Sequence, residues 1–161
     1  MTQLVTSSLL WFCALGCGLI AGVYFAFSAF VMTALGRIDQ AQGICAMNGI
    51  NSTILRSLFM PLFFGTTLAS LVLAAVALFR WGRPGATAML AGGLIYVAGM
   101  FLCTIFFNVP LNNALAVVEP ASVEAASVWG RYRDRWTVWN HVRTIASTAA
   151  CALYIAALTV K

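Results

Sequence analysis

The sequence predicts an all-α fold: an integral membrane four-helix bundle, with an amphipathic loop helix after the first span and a long fourth helix extending beyond the bilayer. Three observations predict it. Of 161 residues, 62% are hydrophobic and only 8% are charged, whereas a soluble domain carries about 25% charged residues. Mean hydropathy is +0.94. The few charges fall between long apolar runs or at their ends. A chain with so little polar surface cannot be solvated as a globule in water, so its solvent is expected to be lipid. Length and the lack of any linker composition indicate a single transmembrane domain over residues 1–161.

The first span is expected over residues 9–35. Residues 1–36 contain no charge, and the apolar run exceeds the roughly 20 residues that cross a bilayer core. A cleaved signal peptide fits poorly, because the basic n-region is missing and the run is too long. Gly18 and Gly22 form a GxxxG pattern, which would let a neighbouring helix approach closely. Arg37 and Asp39 mark the exit from the membrane. Asp39 can cap an interfacial helix over residues 40–58.

The second span is expected over residues 61–79, with Pro61 in its first turn, where proline is tolerated. Arg80-Trp81-Gly82-Arg83-Pro84-Gly85 then reads as a tight turn. The third span should cover residues 86–108, because Pro110 disfavours helix in the residue before it. The fourth is expected over residues 121–160. Its final uncharged run, Thr144 to Val160, is short for a span, so the helix must borrow a turn upstream. That draws Asn140, His141 and Arg143 to the membrane boundary.

The net charge of +5 arises from 9 basic and 4 acidic residues. No basic stripe with interleaved aromatics lies outside the apolar runs, so no nucleic acid is expected as a partner. The expected partner is the lipid bilayer, and the expected location is a multi-pass position in a membrane, the plasma or inner membrane for a bacterial protein. Four of the five cysteines sit in apolar runs and read as small packing residues. One histidine without neighbouring carboxylates or thiols predicts no metal site. No phosphate loop, nucleophile elbow or haem-attachment motif occurs, so no cofactor is expected.

Four crossings place residues 37–56 and 108–141 at one end of the bundle, and the unusual polar residues collect there. Asn48 and Asn51 share a face of the interfacial helix. They read either as part of an amphipathic surface or as side chains turned into a polar site. Trp129, Tyr132, Trp136, Asn140 and Arg143 recur at spacings of three, four, four and three, which is one helix face. Such a stripe is either a packing seam or a site wall. Polar groups at its inner end are functional candidates because they are costly at a membrane unless paired. His141 is either a general base or a hydrogen-bonded interfacial residue.

Two elements, Asn108-Val109-Pro110-Leu111-Asn112 and Trp129-x-x-Tyr132-x-x-x-Trp136-x-x-x-Asn140-His141-x-Arg143, together resemble the anthrone oxygenase-like membrane family. The segments Gly22-Val23-Tyr24-Phe25-Ala26-Phe27-Ser28 and Met47-x-x-Ile50-Asn51 are similar as well, so the resemblance extends from the first span to the last. It implies a four-helix membrane bundle. It also implies the oxidation of a planar polyketide anthrone to an anthraquinone by molecular oxygen, the activity of the fungal members. An anthrone carbanion is electron-rich enough to reduce oxygen without a metal or cofactor. On this reading His141 is the base, and Asn108, Asn112, Asn140 and Arg143 donate to the enolate oxygen. Trp129, Tyr132, Trp136, Asn48 and Asn51 would hold a small planar aromatic molecule. Two other roles stay open. One is a binding or transport protein, which with so few helices would need a homo-oligomer. The other is an accessory subunit.

Overall fold

The computed structural model describes residues 2–160, and no β-strand occurs among them. Four helices are long and apolar enough to cross a membrane: α1 (Gln3–Leu35), α3 (Phe59–Phe79), α4 (Ala86–Ala116) and α5 (Val123–Thr159). A shorter helix, α2 (Gln40–Ile54), follows α1. The protein is an integral membrane helical bundle.

Each boundary has a local cause. α1 begins at Gln3 and not near residue 9, because the Thr2 side chain accepts from Val5 N at 3.4 Å. The cap sets the start of the helix, while the apolar run sets only where lipid begins. Asp39 caps α2 by accepting from Ala41 N at 3.0 Å and Gln42 N at 3.3 Å. α2 ends at Ile54, short of residue 58. Ser57 Oγ donates to Ile54 O at 2.8 Å and accepts from Phe59 N at 3.1 Å, so one hydroxyl closes α2 and opens α3. Ser122 caps α5 by accepting from Ala125 N at 3.2 Å.

The largest departure from sequence expectation is α4, which passes through Pro110 to Ala116 and does not stop at Asn108. Wide π turns at Val97–Leu102 and Thr104–Asn108 precede the proline. Their shifted hydrogen-bond register brings the helix to Pro110 at a junction, near the start of a fresh α segment, where a missing N–H and the pyrrolidine ring are tolerated. α1 carries a similar π turn at Phe27–Val31.

The four long helices form a ring in which α1 packs on α3 and α5, and α4 packs on α3 and α5. Inward residues of α5 recur from Ala125 through Trp129, Tyr132, Trp136, Asn140, Arg143 and Ser147 to Tyr154, the stripe expected of one helix face. The glycines that admit close approach are not the GxxxG pair. Gly18 and Gly22 lie on the outward face of α1. A Cβ on Gly22 would meet nothing within 4 Å. Tight contacts occur instead at Gly16, where an added Cβ would collide with the Thr66 side chain, at Gly93, where it would lie 2.8 Å from both Ala74 Cβ and Ser70 O, and at Gly99 against Ala146. Glycine spacing finds small residues, but the phase of the whole buried stripe decides which of them face a neighbour.

α3 packs along the first half of α4 and parts from its second half, while α2 lies against the end of α4 and against α5. The core accordingly has two parts. The larger is built on Cys13, Cys17, Ile20, Leu73, Tyr96, Met100 and Tyr154. The smaller gathers Met32, Ile44, Met47, Leu115, Trp129, Tyr132 and Trp136 beneath α2. A cavity lies where α3 and α4 separate.

Candidate functional site

A cavity of about 430 Å³ opens between the separating helices, inside the roughly 300–1,000 Å³ range of small-molecule sites. Aromatic rings dominate its wall: Tyr24 and Phe27 from α1, Phe59, Phe63 and Phe64 from α3, Phe101 from α4 and Trp136 from α5. These rings touch in two groups. Tyr24 meets Phe59 edge-on at 6.1 Å, Phe63 lies 5.5 Å from Phe101, and Phe27 lies 5.5 Å from Trp136. Asn48, Asn51, Asn112 and Asn113 line the end beneath α2, and Thr104 and Arg143 also line the cavity.

Arg143 is the unusual group. It is 4% exposed. About 24 Å of helix separate it from Thr159 at 1.5 Å per residue, less than the roughly 30 Å hydrocarbon thickness. Its Nη2 donates to Asn140 Oδ1 at 2.7 Å and its Nη1 to Thr104 Oγ1 at 3.5 Å. The guanidinium carbon lies 4.2 Å from the Tyr24 ring centroid and 4.9 Å from that of Trp136, a cation–π geometry at both faces. Its Nε is buried without a hydrogen-bond partner. The four carboxylate side chains, Asp39, Glu119, Glu124 and Asp134, are absent from the cavity wall.

Asn140 holds this cation in place. It is fully buried. Its amide nitrogen donates to Tyr24 O and to Ser28 Oγ, each at 2.7 Å, while its oxygen accepts from Arg143. One side chain therefore ties α5 to α1 and fixes the guanidinium rotamer. The Phe27–Val31 π turn begins just beyond Tyr24, at the point where this amide reaches the α1 backbone.

The other expected site residues divide into two groups. Asn48, Asn51, Asn112, Trp136 and Arg143 line the cavity. Asn112 Oδ1 accepts from Tyr132 Oη at 2.9 Å, Asn51 Nδ2 donates to the same hydroxyl at 3.5 Å, and Asn48 Nδ2 reaches Leu115 O at 3.5 Å. Asn108, Asn140, Tyr132 and Trp129 are absent from the cavity wall. Asn108 Nδ2 donates to Trp136 O at 3.2 Å, bracing the backbone of α5. Trp129 and Tyr132 stack at 5.7 Å along the buried face of α5, and Tyr132 stacks on Trp136 at 6.0 Å.

His141 is in neither group. It is exposed and follows the buried Asn140, so the turn of the helix carries it off the inward stripe and away from the cavity. The role of base that the resemblance gave it has no geometric support. Among the described residues, no group of three or more His, Cys, Asp or Glu side chains is placed to hold a metal ion.

Sequence reasoning missed Tyr24, Thr104 and Phe101 as wall residues. Tyr24 and Thr104 were the detectable ones: each puts a hydroxyl inside a long apolar run, where a polar group calls for a reason. Phe101 gave no such signal.

The rim combines residues that both line the cavity and remain exposed: Phe64 on α3, Ile105, Val109 and Asn113 on α4, Ser52 on α2 and Leu55 just after it. The opening is apolar along the spanning helices and polar beneath α2.

Residues 55–153, more than half of the chain, match the family model described as anthrone oxygenase. No curated protein and no solved structure matches the chain.

Proposed function

The chain belongs to the anthrone oxygenase family, and from that membership and the cavity we propose a membrane oxygenase that holds a planar, anthrone-like aromatic between α1, α3, α4 and α5. The observation that carries the reading is a buried arginine, braced by Asn140 and Thr104, at the wall of an aromatic cavity. Flat rings suit a flat substrate. A fixed cation favours the oxygen on which negative charge sits once an anthrone has lost its benzylic proton. The electron pair of that carbanion passes to O2, a C–O bond forms, and protonation gives a hydroperoxide. Loss of water with the remaining benzylic hydrogen then leaves the carbonyl of an anthraquinone. Arg143 stabilises the oxyanion, Trp136 and Phe27 hold the rings, and Asn48 and Asn112 position polar substituents at the α2 end. The apolar part of the rim suits a substrate that arrives from the lipid.

The test is oxygen uptake by protein purified in mild detergent and supplied with an anthrone, compared with empty micelles. Wild type is expected to exceed the spontaneous rate. Arg143→Gln should lose about 10²–10³-fold, the usual cost of removing one preorganised donor to an oxyanion. Wild-type turnover no faster than empty micelles would remove the oxygenase reading. A non-catalytic binding role has one observation in its favour: the Asn140 bonds to Tyr24 O and Ser28 Oγ also serve as helix-to-helix glue. Ligand retained through purification without oxygen uptake would favour it.

A further inference from the structure

The proposed reaction needs an anion, yet the cavity holds no acid–base group suited to make one. Among the described residues no carboxylate or histidine lines it, and the titratable side chains on its wall are Tyr24 and Arg143. A guanidinium donates and does not accept. Tyr24 Oη already faces Met100 Sδ at 3.8 Å, and its ring is stacked beneath the guanidinium. The wall is a cation among rings.

From this we infer that the cavity selects its ligand as a preformed anion: a planar aromatic with one acidic oxygen, ionised, set against Arg143. The inference rests on reading the cavity as the ligand site and deepens that reading.

Two independent observations support it. First, among the described residues no carboxylate lines the cavity beside Arg143. Its hydrogen-bond partners Asn140, Thr104 and the Tyr24 hydroxyl are uncharged, and the rings of Tyr24 and Trp136 lie against it. A buried cation ordinarily has an ionic partner. Second, seven of the cavity's lining residues are aromatic, so an anion that meets Arg143 is expected to carry a flat apolar body. A small inorganic anion would meet Arg143 but leave most of an aromatic cavity unfilled.

The sign of the effect makes the inference decisive. An apolar cavity alone disfavours an ionised phenol and moves its ionisation to higher pH, whereas a fixed neighbouring cation moves it lower. The probe is a hydroxynaphthalene with an electron-withdrawing ring substituent, whose phenolate absorbs at longer wavelength than the phenol. Its ionisation is followed spectroscopically when bound to purified protein and, as a reference, in empty micelles. Wild type should lower the pH midpoint of the bound probe by at least one unit, a tenfold or greater preference for the anion. Arg143→Gln should abolish the shift. Thr104→Asp, which places a carboxylate beside Arg143 without removing it, should abolish it as well and keeps the test open if the first variant does not fold. A midpoint unchanged or raised in wild type overturns the inference. Displacement of the probe by an equimolar anionic phospholipid would make the occupant a headgroup phosphate and overturn the aromatic assignment. Oxygen uptake with an anthrone, measured on the same preparation, separates the two readings. A lowered midpoint without uptake removes the oxygenase and leaves this inference. Uptake without a lowered midpoint does the reverse.

Discussion

Replacing Asn140 by leucine removes the strongest polar junction in the bundle, and the structure gives its scale. The side chain is fully buried and makes three bonds of 2.7 Å, two to α1 and one to Arg143. Neutral interhelical hydrogen bonds in membranes contribute about 0.6 kcal/mol on average and up to about 1.7. Bonds to charged groups contribute about 1.5–3 kcal/mol. Together these predict a loss of about 3–6 kcal/mol for Asn140→Leu. Leucine fills a similar volume, but it recovers little: inside a bilayer the competing solvent is as apolar as the leucine itself. The assay is reversible unfolding in mixed micelles of rising denaturing-detergent fraction, followed by helical content. Asn140→Asp provides the comparison, because it keeps an acceptor for Arg143 while giving up donation to Tyr24 O. It should fall between wild type and the leucine variant. A loss below about 1 kcal/mol for Asn140→Leu would show that the junction is not what ties α5 to α1, and the argument for a rigidly held Arg143 would fall with it.

Two further outcomes follow from the same geometry. His141→Ala should leave anthrone-dependent oxygen uptake unchanged and stability within about 0.5 kcal/mol, since the imidazole lies off the inward face of α5; a tenfold fall in uptake would return it to the chemistry. Gly93→Val should destabilise by about 1–3 kcal/mol through overpacking, because even its Cβ would lie 2.8 Å from Ser70 O, whereas Gly22→Val should be nearly neutral in the same detergent unfolding measurement.

The membrane class and the helix count were legible from composition and run length, because lipid imposes one requirement on every spanning segment. The inward stripe of α5 was legible for a different reason: helical periodicity is a property of the chain itself. What periodicity could not supply was the relation between helices. Asn108 and Asn112 look alike in sequence, four apart on one segment, yet only Asn112 reaches the cavity while Asn108 braces the α5 backbone. The π turns before Pro110 lay beyond reach for the same reason. A π turn is favoured by tertiary contacts and carries no residue signature of its own, so the ordinary reading of proline as a stop misplaced the end of α4. His141 shows the limit of choosing by chemistry. A lone imidazole beside Asn140 and Arg143 looks apt, but adjacent residues on a helix point about 100° apart, as the 3.6-residue turn requires.

The same departures from ideal helix that hid the site also build it. A regular, straight α4 would stay packed along α3 and close the space near Phe101 and Thr104. Instead, α4 changes register at Val97–Leu102 and again at Thr104–Asn108, and beyond this stretch it no longer follows α3. The space that results would admit lipid unless covered. α2 covers its polar end by setting Ile44 and Met47 into the smaller core and Asn48 and Asn51 onto the wall. Arg143 then occupies a position where the surroundings can keep a cation within the bundle. Asn140 and Thr104 supply its acceptors, Tyr24 and Trp136 supply its faces, and the cavity lies on its open side. Each of these arrangements costs stability taken separately, since wide turns, an open cavity and a buried charge all weaken a bundle. Their coincidence at one place supports the proposed reading of the cavity as a ligand site over a gap left by packing.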